Sequence, residues 1–161
     1  MKLEQARFEL AREYIRDHAR PVDRALFEFW FKSGSPARVA AELRAYQNED
    51  GGFGRALEPD FRLEASSVAA TTFAFRYLRE VGASSGVPLV PSGIAYLVAS
   101  YDRDRRAWPH VPPEVNEAPH APWWHVDEHR ADDELQWGKP QRRSRGLPLR
   151  ACRACAGVAA P

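Results

Sequence analysis

The sequence predicts an all-α fold of stacked helical hairpins, and three observations carry that prediction. Apolar residues recur at helical rather than strand spacing through the first 100 residues, one helical segment carries no charge on any side, and a helix-plus-aromatic pattern returns after 55 residues. The chain has 161 residues, 44% of them hydrophobic and 28% charged. That is long enough for one real core and short for two domains. The expected organisation is a helical domain over residues 1–137, with repeat units at about 36–91 and 92–137, followed by a basic tail over 138–161.

The first helix follows from Leu3, Ala6, Leu10, Tyr14 and His18, a stripe widened by Ala11 and Ile15. Pro21 marks the start of a second, with Asp23 in its first turn ahead of Leu26, Phe27, Phe29, Trp30 and Phe31. Gly34 ends it. Ser35 and Pro36 then supply an N-cap hydroxyl and a proline at the first helical position of a third helix, whose apolar face is Val39, Leu43 and Tyr46. From Ala65 to Phe75 there is no charge, and Val68, Ala69, Ala70, Phe73, Ala74 and Phe75 surround the axis. Such a helix must be enclosed, so one-faced and enclosed helices together predict an outer layer covering an inner one. A fifth helix shows Ile94, Leu97, Val98 and Tyr101 as one stripe. No strand pattern stands out. An offset of 55 pairs Val39 with Ile94, Ala40 with Ala95, Leu43 with Val98, Tyr46 with Tyr101 and Phe53 with Trp108, the signature of a helical array. Asp102-Arg103-Asp104-Arg105-Arg106 reads as a solvated helix end. Five prolines between 107 and 124 forbid a regular helix there. A loop that long, holding Trp108, Trp123 and Trp124, is either functional or a plug across the end of the array.

Charge and composition exclude several functions. Six of the 23 basic residues and none of the 22 acidic ones lie in 139–161, leaving 17 basic and 22 acidic residues in 1–138, a net of −5. An acidic body is a poor partner for nucleic acid. No uncharged apolar run approaches the roughly 20 residues of a membrane span. Charge runs through Met1–Arg7, where a signal peptide would be apolar, so a cytoplasmic location is expected.

One segment stands out: Tyr46-Gln47-Asn48-Glu49-Asp50-Gly51-Gly52-Phe53-Gly54. Gly51, Gly52 and Gly54 permit positive φ after a helix, Gln47 is able to bridge to the next helix, and Phe53 to pack over the junction. With no Lys-Ser/Thr ending and no preceding strand, the glycines do not make a phosphate cradle. Together with Ala56-Leu57-Glu58-Pro59-Asp60, the apolar helix after it and Pro119-His120-Ala121-Pro122-Trp123-Trp124, this segment resembles the repeat motif of the terpenoid cyclase and protein prenyltransferase superfamily. The likeness is to bacterial prenyltransferase-like and squalene-cyclase-like members and covers residues 1 to about 137. It implies a partial α/α toroid, two concentric rings of helices, in which the Gln47, Asp50, Gly51, Gly52, Phe53 and Gly54 motif serves the fold rather than a reaction.

Within that resemblance, Glu58 and Asp60 flank a proline-stiffened bend, Glu58 being held extended by Pro59. The pair is placed to protonate an alkene or to bind a diphosphate through a metal; the alternative is that Asp60 simply caps a helix or pairs with Arg55 or Arg62. His120 is a third candidate acid. Phe53, Trp108, Trp123 and Trp124 are candidate ligand-binding aromatics, or else seals for the core. The Asp-x-Asp-Asp acid of squalene-cyclase-type enzymes is absent, only Asp102-Arg103-Asp104 and Asp132-Asp133 coming near. The aspartate-rich metal motif of diphosphate-ionising synthases is absent too, and no cysteine precedes Cys152 to hold a prenyltransferase zinc. Cys152 and Cys155 have the spacing of half a zinc site, with His125 and His129 able to complete it, but one such pair between unlike flanks does not make one, and neither a metal nor a cofactor is expected.

The expected function is therefore prenyltransferase- or terpene-cyclase-like, of unassigned reaction, with an isoprenoid or other apolar ligand. A non-catalytic helical scaffold or degenerate fragment is the competing reading, and a glycan-processing α/α barrel, which also uses acid pairs and tryptophan platforms, a third. Residues 139–161 hold five arginines, five alanines and three prolines with no aromatic residue, a composition without packing logic that a high-GC gene read out of frame after about Gly138 would give. An arc with only five or six helices leaves its last apolar face open, so self-association through the C-terminal edge is expected.

Overall fold

The computed structural model describes residues 4–83 and 86–127 and the backbone of 137–138. The 139–161 tail, Cys152, Cys155, His129 and Asp132-Asp133 lie outside the described residues, as do the rest of residues 128–136 in the 92–137 unit. Five α-helices account for most of the regular structure: α1 (Gln5–His18), α2 (Pro21–Phe31), α3 (Pro36–Leu43), α4 (Val68–Glu80) and α5 (Leu89–Ala99). The fold is all-α. Each helix packs on the next in sequence, α1 on α2, α2 on α3, α3 on α4 and α4 on α5. Single-turn 3₁₀ helices follow at Arg44–Tyr46, Pro113–Glu117 and Pro122–Trp124. The only two strands among the described residues, Trp108–Pro109 and Trp137–Gly138, are two residues each and pair antiparallel. None of the described helices is long and apolar enough to cross a membrane.

The start signals act as their chemistry requires. Pro21 and Pro36 occupy the first turns of α2 and α3, and the Ser35 hydroxyl accepts from the Arg38 amide at 3.2 Å. α4 begins three residues after the start of its uncharged stretch, because Ser67 is its N-cap and accepts from the Ala70 amide at 3.0 Å. Its Val68, Ala70, Thr71, Ala74, Tyr77 and Leu78 are buried, while Thr72 and Arg76 reach solvent, so α4 is enclosed on most sides rather than all.

Two helices turn a different face inward from the one their stripes suggest. No residue of α1 is buried, and Leu10 and Tyr14 are 68% and 66% exposed. Its inward line is Phe8, Arg12 and Ile15, anchored where Phe8 meets Phe27 and Phe31 at ring-centroid distances of 6.0 and 5.7 Å. In α5, Val98 is 69% exposed and Ile94 also faces solvent, while Leu89 and Gly93 are the buried positions. Gly93 is selected by contact: a methyl there would lie 2.8 Å from Phe75 Cζ, so only a bare backbone lets α5 approach α4. The charge cluster after α5 is a turn, not a helix end. Asp102 and Ala107 exchange backbone hydrogen bonds of 3.0 and 3.2 Å, and the Arg105 amide donates to Asp102 Oδ1.

A polar tie joins α2 to α4 and to the 56–57 turn. Arg20, at the N-cap of α2, donates to the carbonyls of Ala56 and Leu57 at 3.1 and 2.6 Å, pairs with Asp23 at 2.7 Å and reaches the Tyr77 hydroxyl of α4 at 3.2 Å. Tyr77 in turn donates to Asp23. Burial, helped by the hydrogen bond and charge of Asp23, pushes the Tyr77 phenol well above its ordinary range.

The glycines of the 46–54 motif divide by function. Only Gly51 needs left-handed backbone, at φ 84°; Gly52 and Gly54 are there for clearance instead. A methyl on Gly54 would sit 2.3 and 2.4 Å from the Ala65 and Glu64 carbonyl oxygens, and backbone at that distance has nowhere to go. Gly54→Ala is therefore expected to destabilise the fold by about 3 kcal/mol or more, at or beyond the upper end of ordinary overpacking, read as a loss of midpoint in urea unfolding with helicity as the signal.

Candidate functional site

The Gln47–Gly54 motif is a closed corner. Gln47 and Ser67 bridge Phe53 from either side, and the Phe53 ring is fully buried. The Phe53 amide donates to Thr71 Oγ1 at 3.0 Å, its carbonyl accepts from the Ser67 amide at 3.0 Å, and the Thr71 hydroxyl passes its own proton to the Ser67 carbonyl at 2.7 Å. Gln47 does not bridge to the next helix, α4: its Nε2 donates to the Gly51 carbonyl of its own turn at 2.9 Å and to the Leu89 carbonyl, at the start of α5, at 3.3 Å. Asp50 Oδ1 accepts from the Gly52 amide and the Ser66 hydroxyl. Each polar group singled out in the motif is thus spent on a neighbour.

The acids lie on the next turn of chain. Arg55 and Ala56 both adopt left-handed backbone, φ 53° and 57°, and the Leu57 amide closes the turn onto the Gly54 carbonyl at 3.0 Å. The chain then enters the Glu58-Pro59-Asp60 bend. Glu58 is 9% exposed, and its Oε2 accepts from the Asp60 amide at 2.8 Å, so the first acid caps the bend that carries the second. Burial pushes the Glu58 carboxyl above its ordinary range, against the Asp60 amide bond and with the Asp60 charge adding to the rise. Asp60 is exposed and caps no helix, α4 being capped by Ser67, and it forms no ion pair with Arg55 or Arg62.

Sixty residues downstream, the proline-rich loop returns to this bend. Phe61 and His120 form an antiparallel bridge, the Arg62 amide donating to the Pro119 carbonyl and the Ala121 amide to the Asp60 carbonyl, both at 2.8 Å. The backbone of the Asp60–Arg62 segment and that of Pro119–Ala121 thereby run side by side, a juxtaposition that spacing along the chain gives no sign of. His120 has both ring nitrogens engaged, Nδ1 with the Ala118 carbonyl at 2.7 Å and Nε2 with His125 Nδ1 at 3.3 Å. Trp124 stands edge-on to Phe61 at 5.2 Å, with His110 at 6.4 Å. Its indole nitrogen is shielded from solvent and has no hydrogen-bond partner. The His110 carbonyl accepts from the Ala69 amide in the first turn of α4, so the loop closes over that helix end.

The other aromatics are elsewhere. Trp108 is half-buried against Tyr101 at 4.6 Å and donates to the Leu97 carbonyl at 2.6 Å, which makes it a fastener for α5. Trp123 is 70% exposed. Phe53 is core. Only Trp124 among the four packs on Phe61, the residue after the acid bend. The two corners at the 55-residue offset share a helix followed by a tight return, but they close differently: Gln47 bridges Phe53, whereas Asp102 bridges Ala107 and leaves Trp108 to pair with Gly138. No group of three His, Cys, Asp or Glu side chains among the described residues is arranged to hold a metal.

No protein-family model, curated protein or solved structure matches this chain.

Glu58 supplies a test in solution. Its folded carboxyl holds a proton to higher pH than the unfolded chain does, so the native state binds more protons between the two values and its stability falls as pH rises through that window. Glu58→Gln keeps an acceptor for the Asp60 amide and removes the titration. The variant is expected to gain stability relative to the parent as pH goes from 4 to 7, measured by urea unfolding at each pH; a gap that narrows instead contradicts the desolvated carboxyl.

Proposed function

We propose that the five helices form an open arc of an α/α toroid, prenyltransferase-like or terpene-cyclase-like in kind, which binds an apolar ligand of the isoprenoid class at the Glu58–Asp60–His120–Trp124 patch. The observation that carries this reading is the bridge between Phe61 and His120, which brings the loop carrying His120 and Trp124 onto the chain that follows the Glu58–Asp60 bend, with Trp124 edge-on to Phe61. Glu58 is the proton-holding group of the patch, and Asp60 the exposed acid beside it. His120 orients the loop, since both its nitrogens are already bound. Trp124 offers a ring face for an apolar chain or a developing cation, and its unpartnered indole N–H awaits an acceptor. The order of helices, each packed on its sequence neighbour, supports the arc. No reaction is assigned beyond the capacity of Glu58 to give up a proton.

A second reading, a non-catalytic helical scaffold, is favoured by the self-contained corner at Gln47–Gly54, where each polar group singled out is satisfied within the fold.

Titration with the neutral isoprenols farnesol and geranylgeraniol, and with squalene, separates the two. Ligand binding predicts saturable quenching of tryptophan emission that falls by more than half in Trp124→Phe. Unchanged emission with all three ligands supports the scaffold.

A further inference from the structure

A groove of ≈300 Å³ lies between α1 and α2, apart from the patch described above. Its walls carry four cations, Arg12 and Arg16 from α1 and Arg24 and Lys32 from the α2 segment, against a single acid, Glu28. The floor is apolar, formed by Ile15 and by Phe27, whose ring is fixed between Phe8 and Phe31. Two of the cations already have acids of their own outside the groove: Arg12 pairs with Glu9, and Arg16 pairs with Asp17 at 2.8 Å. The other two do not. Arg24 spends one nitrogen on the Arg16 carbonyl at 3.0 Å and forms no close ion pair, although its charge reaches Asp17, and Lys32 forms no ion pair among the described residues.

Arg12 and Arg16, each beside its own acid, stand one turn apart on α1, and Arg24 and Lys32 line the same concave surface. Facing cations of one sign in a cleft focus the field there and draw in counter-ions. Guanidinium groups bind phosphoryl oxygens in forked pairs, and the ammonium adds a point charge. An apolar floor under that cationic rim suits a ligand with an anionic head and a small apolar body, and the volume lies at the small end for ligand sites. We propose that the α1–α2 groove binds a small phosphorylated compound with an aromatic or aliphatic body, its phosphate held by Arg24 and Lys32 and its body lying on Phe27. The site is independent of the isoprenoid patch.

Phenyl phosphate is the probe, followed by calorimetry and by amide chemical shifts in low salt. Binding is expected, with shifts confined to α1 and α2. Inorganic phosphate is expected to bind more weakly and phenol not at all. Arg24→Gln with Lys32→Gln, both away from the core, should weaken phenyl phosphate at least about 10-fold while leaving the circular dichroism spectrum and the response to neutral isoprenols unchanged. Raising salt from 50 to 200 mM should weaken the parent several-fold. The proposal is overturned by no binding at 10 mM probe, by equal affinity for the double variant, or by shifts that map away from the two helices.

Discussion

The structure depends on the main chain of Phe53. This residue stands between Gln47 and Ser67 with its amide given to Thr71, its carbonyl to the Ser67 amide, and its ring in the core. A buried amide or carbonyl left unpaired costs about 1–3 kcal/mol, so each of these bonds obliges α3, the return turn and the start of α4 to hold one arrangement. The Ser67 N-cap, the Thr71 hydroxyl and the Gly54 clearance serve the same seam. The Arg20 tie to the Ala56–Leu57 turn and to Tyr77 then fixes α2 to it. The acids at 58 and 60 inherit their positions from this closure, since the bend they occupy begins four residues after Gly54.

Local chemistry was the legible part of the sequence. Pro21, Ser35 and Pro36 mark helix starts because a missing N–H or a capping hydroxyl acts within one turn, and the uncharged stretch from Ala65 marks α4 because no other environment suits it. Burial by stripe succeeds where a helix has one apolar face, as in α3 with Val39 and Leu43. It fails in α1 and α5, where several faces are apolar and the neighbour decides among them: Phe8 wins over Leu10 because Phe27 and Phe31 offer it rings, and Gly93 wins over Ile94 and Val98 because the absence of a side chain allows closer approach. The glycine motif was read as positive φ throughout, whereas two of its three members are selected by carbonyl oxygens and side chains from residues distant in sequence.

The candidate site was legible only as separate pieces. Glu58, Asp60, His120 and Trp124 each carry a chemical signal, but what brings them together is an antiparallel bridge across about 60 residues of chain, and the residues supply no local code for that pairing. Their surroundings differ: Glu58 is buried and Asp60 exposed, and the Ala118 carbonyl and His125 occupy both ring nitrogens of His120. Trp108, Trp123 and Trp124 look equivalent in the sequence, yet one fastens α5, one faces solvent and one meets Phe61, because the proline turns rotate successive residues to different sides.

Hydrogen exchange of individual amides under native conditions tests this account most directly. The Phe53 and Ser67 amides should exchange only through global unfolding, with protection free energies equal to the unfolding free energy measured by denaturant and matched by the amides of α4. Exchange of the Phe53 amide at the rate of an ordinary surface loop, while α4 stays protected, would contradict it.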